Sequence, residues 1–146
     1  MVGIVILNYN SWADTVACVD SIHEAEKKLE FRIYLVDNCS PVRPEPGILE
    51  SLDKSGVVFI QNERNAGYSA GNNIGIKRAL EDGCEEVLIS NSDVRYETGS
   101  ISELQTYLQA HPDVGIVGPK IFLRDGSIQK ECMMRKTGIR EKYLLR

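Results

Sequence analysis

Apolar residues fall along this chain in short blocks that alternate between two spacings. Val2 to Leu7 is a run interrupted only by Gly3 and rich in β-branched residues, which predicts a strand buried on both faces. It stops at Asn8-Tyr9-Asn10. Trp12, Val16, Val19, Ile22, Ala25 and Leu29 then recur at three- and four-residue steps behind Ser11, with Asp14 three positions on, which predicts an amphipathic helix opened by a serine cap. Phe31 to Val36 predicts a second strand, ended by Asp37-Asn38-Cys39-Ser40-Pro41. A Pro/Gly loop to Gly47, a brief helix through Ile48, Leu49 and Leu52, and a strand over Val57 to Ile60 follow. The segment from Gly67 to Leu80 reads as a helix closed by Gly83, and Val87 to Ser90 as a fourth strand running into Asn91-Ser92-Asp93. Ile101, Leu104, Tyr107 and Leu108 mark a helix ending by Pro112. Val114 to Val117 and Ile121 to Leu123 are expected to be strands, with Asp125-Gly126 turning the chain into Ser127 to Cys132.

Strands alternating with helices predict an α/β fold, a Rossmann-like, mostly parallel sheet with helices on both faces. Ligands of such sheets bind beyond the carboxyl ends of the strands. Asn8-Tyr9-Asn10, Asp37-Asn38 and Asn91-Ser92-Asp93 all end strands, so all three are expected on one rim.

Composition adds bounds. With 146 residues, 42% hydrophobic and 26% charged, the chain suits one globular core. No apolar run approaches a membrane span and no basic-then-apolar leader opens the chain, so a cytoplasmic protein is expected. The net charge of −4 gives no reason to expect nucleic acid as a partner. Its distribution is uneven: residues through Gln129 carry 11 basic and 19 acidic side chains, a balance of −8, whereas Lys130 onward carries 6 and 2, a balance of +4. Cys18, Cys39, Cys84 and Cys132 lie far apart, without metal or redox spacing, and read as reduced thiols. His23 and His111 stand alone and read as structural.

Three segments can carry chemistry. Asp93, with Asn91 beside it, offers hard oxygens to magnesium or manganese, whose shell would be completed by water and substrate phosphates; equally, Asp93 could cap the helix beginning near Thr98, or Asn91 and Asp93 could simply build the turn. Asp37 could accept from a ribose hydroxyl or a pyrimidine imide, or could open its loop as an Asx turn. Asn62 to Gly75 gathers three glycines and four asparagines around a helix start, which suits close approach to an anionic ligand. The spacing Gly67, Gly71, Gly75 is not the dinucleotide fingerprint, and at Gly71 and Gly75 the small residues could equally serve tight packing.

Asn8-Tyr9-Asn10, Val36-Asp37-Asn38 with Ser40, Asn65-Ala66-Gly67-Tyr68-Ser69 followed by Gly71-Asn72-Asn73-Ile74-Gly75, and Asn91-Ser92-Asp93 occur in an order that resembles the inverting glycosyltransferases of the A-type fold, the large family that includes bacterial rhamnosyl- and polysaccharide-building transferases. The likeness covers about residues 2–123. It implies a nucleoside-diphosphate sugar donor, UDP- or dTDP-linked, and a glycan or lipid-linked acceptor. By the same resemblance Asn8, Tyr9 and Asn10 line the nucleoside pocket and Asp37 meets base or ribose. Asn65, Gly67, Asn72 and Asn73 border ribose and diphosphate, and Asn91 and Ser92 lead to Asp93, the expected ligand of Mg2+ or Mn2+. Asn91 stands where the family's acidic motif usually opens with Asp.

An inverting transferase also needs a general base. In the family that carboxylate lies in a later acceptor-binding half, and Asp113, Asp125, Glu131 and Glu141 sit in no comparable setting, so none is assigned. Residues 1–129 are therefore expected to form the nucleotide-sugar-binding core. Residues 130–146 are expected to be a basic tail, the start of an acceptor region cut short, so that the chain alone transfers little sugar. The tail could instead rest on an anionic membrane surface at the inner face of the membrane, as a peripheral contact, or be a disordered or partner-covered basic segment. The alternative function is a non-catalytic nucleotide-binding or assembly module that keeps the fold.

Overall fold

The computed structural model describes residues 1–129. Its elements run β1 (Val2–Asn8), α1 (Trp12–Ala25), β2 (Phe31–Asp37), α2 (Ile48–Lys54), β3 (Val58–Gln61), α3 (Tyr68–Glu81), β4 (Glu86–Asn91) and α4 (Ser100–Ala110). The four strands form one sheet in the order β3-β2-β1-β4, and each neighbouring pair is parallel. This is the expected α/β architecture.

The period-two alternation of the strands divides the core into two layers. Val2, Ile4, Ile6, Ile33 and Leu35 meet Trp12, Cys18, Val19 and Ile22 of α1, Leu52 of α2 and Ile101 of α4. On the opposite face Val5, Tyr34 and Val36 meet Ala79 of α3 and Cys84. Both faces of β1 and β2 are thus covered, which is why their sequences run apolar without alternation.

Small residues set the distance between α3 and the sheet. A Cβ on Gly75 would lie 2.5 Å from Val5 Cγ1 and 3.0 Å from Val36 Cγ2, and one on Gly71 would lie 2.5 Å from Leu7 Cδ1. Close packing therefore accounts for both glycines. Gly75→Ala is expected to destabilise the fold, because overpacking against two stiff, fully buried valines costs about 1–3 kcal/mol against roughly 1 kcal/mol gained in helix propensity. Gly71→Ala should cost less, since Leu7 is half-buried and can turn aside. Urea midpoints of the two variants test the ranking.

Buried weak acids give the fold a second measurable property. Burial raises the Cys18 thiol and pushes the Tyr96 phenol up to about 12. Burial likewise raises the Tyr34 phenol, with Cys84 and Asp82 acting in the same direction. The folded chain therefore keeps protons that the unfolded chain releases from about pH 9 upward. These groups leave stability unchanged below that point and remove it as pH rises through their folded values. A denaturant midpoint that holds steady between about pH 9 and pH 12 would contradict this expectation.

Several local expectations are corrected. The first helix ends at Ala25, with Glu26 as its C-cap, and Leu29 packs on the core from the following loop. Ser11 occupies the N-cap but its side chain makes no capping bond. Val114 to Val117 is not a strand, and Ile116 is 91% exposed there. Ile121 to Leu123 contributes only the isolated antiparallel bridge between Phe122 and Ile128 around the expected turn at Asp125-Gly126. Apolar runs become strands only where a neighbour pairs their backbone, and no described strand pairs Val114 to Val117. Residues 130–146, Cys132 and the expected tail among them, lie outside the described residues. No helix among the described residues is long and apolar enough to cross a membrane.

Candidate functional site

Register brings the polar strand ends into one row. Asn8 pairs with Asp37, Asp37 with Gln61, and Leu7 with Asn91, so the carboxyl ends of β1, β2, β3 and β4 meet along a single rim.

Asn8 is fully buried and organises the first part of that row. Its Nδ2 donates to Asp37 Oδ1 at 2.7 Å and to Ser40 Oγ at 3.3 Å, while its Oδ1 accepts from Ser11 N, Ser11 Oγ and Thr15 Oγ1 at 3.0–3.1 Å. The serine at the head of α1 thus serves the β1 end. Tyr9 beside it is 48% exposed. Asn10 adopts φ +58°, a left-handed conformation that asparagine tolerates; its N donates to Ser40 Oγ and its Oδ1 accepts from Val42 N. Cys39, at φ +62°, bends the facing loop in the same sense.

Asp37 is 2% exposed and its carboxylate is filled. Asn8 Nδ2 and Ser40 Oγ donate to Oδ1, and Ser40 N and Gln61 Nε2 donate to Oδ2, at 2.5–3.0 Å. Asn38 continues the network toward α3: Asn62 Nδ2 donates to its Oδ1 at 3.0 Å, and its Nδ2 donates to Asn65 Oδ1 at 2.8 Å. Asn65 Oδ1 also accepts from Gly67 N, and Gly67, at φ +88°, takes a conformation few side chains allow. At the start of α3, Asn72 Nδ2 donates to the Tyr68 carbonyl while its buried Oδ1 has no hydrogen-bond partner among the described residues. Asn73 is exposed.

The end of β4 completes the row. Asn91 Oδ1 accepts from Tyr68 OH at 3.1 Å, linking the strand to the opening of α3. Ser92 is buried and shares a 2.8 Å hydrogen bond with Ser11 Oγ. Asp93 is exposed, and no hydrogen bond or ion pair to it forms among the described residues. The helix after it is capped by another residue: Glu26 Oε1 accepts from Ile101 N at 2.7 Å and Ser102 N at 3.2 Å, and Glu26 Oε2 from Ser102 Oγ. The loop from Ser92 to Gly99 is held along α1 by further contacts, Tyr96 N to Ser21 Oγ at 3.3 Å and Gly99 N to the Ala25 carbonyl at 3.1 Å.

The structure therefore joins Asn8, Asn10, Asp37 and Ser40 in one network, and Asn65 and Gly67 to it through Asn38. Asn91 and Ser92 are tied to Tyr68 and Ser11, while Tyr9, Asn73 and Asp93 stand out toward solvent. Gln61 and Glu26 escaped the sequence reading. Neither lies in a motif; only the β2–β3 register and the return of α4 to α1 bring them into play.

Among the described residues no three His, Cys, Asp or Glu side chains cluster as a metal cage. One unpaired carboxylate with an amide two residues before it is instead the donor set expected where a hard divalent ion leans on few protein groups and takes its other oxygens from phosphate and water. Asp93 and Asn91 fit that use. Asp125 does not: Ser127 Oγ and N both donate to its Oδ1, which holds the carboxyl below its ordinary range and commits it to a turn.

Comparison with known proteins bears on what this rim serves. The sequence model of glycosyl transferase family 2 matches residues 3–141. The chain belongs to that family. Among curated family relatives, the low-salt glycan biosynthesis hexosyltransferase Agl10 of Haloferax volcanii is 30% identical over 125 residues, 85% of this chain and 38% of that protein. The dTDP-rhamnosyl transferase RfbF of Shigella flexneri is 35% identical over 80 residues, 54% of this chain and 27% of that protein. The fold is similar to that of TarS from S. aureus in complex with UDP, with a TM-score of 0.63 and 20% identity over 86% of this chain and 43% of the other. The chain thus spans less than half the length of these two relatives and of the TarS chain.

Proposed function

We propose that the chain is the nucleotide-sugar-binding part of a glycosyltransferase that moves a sugar, with inversion, from a UDP- or dTDP-linked donor to a glycan or lipid-linked acceptor. Family membership supports glycosyl transfer, RfbF is named for a dTDP sugar, and TarS holds UDP. The observation that carries the reading is the rim itself, where four strand ends converge and Asp93, on a loop pinned to α1, makes no hydrogen bond or ion pair among the described residues.

In this reading Asp37, braced by Asn8 and Ser40, lies toward the nucleoside, with Tyr9 and Asn10 beside it. Asn65, Gly67, Asn72 and Asn73 lie toward the ribose and diphosphate in this reading. Asp93, with Asn91 and Ser92 before it, would hold Mg2+ or Mn2+. When bound, the ion neutralises charge on the departing nucleoside diphosphate. The chain's own contribution is to hold Asp93 still and to keep Asn91 aligned through the Tyr68 hydroxyl.

The test is calorimetric titration of UDP and dTDP with and without Mn2+. Binding to the wild-type chain should require the ion, and Asp93→Ala should weaken it by at least about tenfold, the effect of losing roughly 1.4 kcal/mol of charge-assisted contact. Equal binding by Asp93→Ala, or binding indifferent to Mn2+, would sink the assignment.

A further inference from the structure

Asp37 raises a problem for its own expected role. An ionised carboxylate has about four lone-pair positions, and Asn8 Nδ2, Ser40 Oγ, Ser40 N and Gln61 Nε2 fill them all. At 2% exposure, nothing of it is left for a ligand. A nucleoside can reach Asp37 only if one of these donors leaves.

The four are not equally free to do so. Asn8 is fully buried and its oxygen carries three more donors. Ser40 N is main chain, and Ser40 Oγ also receives Asn10 N at 2.8 Å. Gln61 differs: its side chain is exposed at the end of β3, and its other bond is a 3.2 Å contact from Nε2 to the carbonyl of Asn62. Both neighbours are acceptors, so the amide must face them with its nitrogen. Among the described residues its oxygen accepts no hydrogen bond.

We propose that Gln61 is a displaceable cover on Asp37 and a determinant of nucleotide affinity, its Nε2 occupying the position at Asp37 Oδ2 that a nucleoside N–H or O–H takes on binding. This rests on the nucleotide-sugar reading above. The exchange replaces one charge-assisted hydrogen bond by another, and the released amide passes directly to solvent, so the swap opens no buried vacancy. A pyrimidine imide N–H, more acidic than a carboxamide, is the stronger donor of the two. A removed cover should therefore tighten binding, an outcome that structural damage does not produce.

The test compares wild-type chain with Gln61→Met, which keeps length and volume but donates nothing, by titrating UDP in the presence of Mn2+. Binding about fivefold tighter is expected, the worth of one net hydrogen bond no longer competing. Gln61→Ala serves as a second variant with the same expectation. Unchanged binding overturns the proposal, and weaker binding overturns it in favour of a direct contact from Gln61 to the ligand. With 2′,3′-dideoxyuridine diphosphate the gain persists if the donor is the imide; with ADP it persists if the donor is a ribose hydroxyl. Loss of the gain with both UDP analogues while UDP itself shows it supports joint donation. A wild-type chain that binds neither UDP nor dTDP overturns the underlying nucleotide reading as well, which separates the two failures.

Discussion

Asn8→Asp, a change of one atom group at constant shape, is expected to be among the most destabilising substitutions in the chain. Asn8 Nδ2 lies 2.7 Å from Asp37 Oδ1, and the two residues are 0% and 2% exposed. An oxygen in place of that nitrogen sets two carboxylates against each other in the protein interior and removes the donor that Asp37 Oδ1 uses. The penalty of an uncompensated buried charge is about 3–5 kcal/mol, a large part of the 5–15 kcal/mol by which a domain is stable. One carboxylate can escape by taking a proton, which raises the pair's apparent pKa above the value near 4 that aspartate has when unfolded. The sign follows: the folded variant binds more protons than the unfolded one, so its stability falls as pH rises through that range. Denaturant titrations at neutral pH and at about pH 5 should find the deficit against wild type smaller at the lower pH. A deficit independent of pH, or below about 1 kcal/mol, would mean that Asn8 does not brace Asp37 through its amide.

Glu26→Ala is expected to loosen α4 and the loop that carries Asp93, although Glu26 belongs to neither. Its carboxylate, 5% exposed, receives Ile101 N, Ser102 N and Ser102 Oγ at the start of α4, where unpaired N–H groups and the helix dipole favour a negative charge. Removing it costs about 1–2 kcal/mol for the lost cap and roughly as much again for leaving the buried Ile101 amide without an acceptor. Glu26→Gln retains one oxygen and should cost less than half of that. Hydrogen exchange locates the effect: in Glu26→Ala, the amides of Ile101 and Ser102 should lose protection well before those of β1 and β2. Uniform loss across the chain would assign Glu26 to global stability only.

These two residues mark the boundary of what the chain discloses before folding. The strands were legible because β1 and β2 are covered on both faces, which demands uninterrupted apolar runs, and α3 was legible from Ala70, Ile74, Ile76, Ala79 and Leu80 despite the glycines that let it lie on Val5 and Leu7. Asn8, Asp37, Asn91 and Asp93 could be nominated as polar ends of apolar strands. How they partner could not, since it depends on register: Gln61 reaches Asp37 only because β3 pairs with β2 at that position. Ser11 illustrates the converse, a residue with the right local pattern for a cap whose hydroxyl finds better company in Asn8 and Ser92. The cap on α4 comes from 75 residues upstream, beyond any local pattern. Val114 to Val117 was misread because composition cannot reveal whether a pairing strand is at hand.

The attachment of the Ser92–Gly99 loop to α1 has a consequence for how a ligand is received. Bonds from Ser11, Ser21, Ala25 and Glu26 fix that loop and the helix after it along nearly the whole length of α1. The loop's freedom is lost when the chain folds, so under the proposed reading an ion or phosphate arriving at Asp93 would not have to bring it to order, and its affinity would not be diminished by that entropy. Under the proposal for Gln61, adjustment on binding would fall to the opposite side of the rim, where Gln61 is exposed and Tyr68 is joined to Asn91 by one hydroxyl.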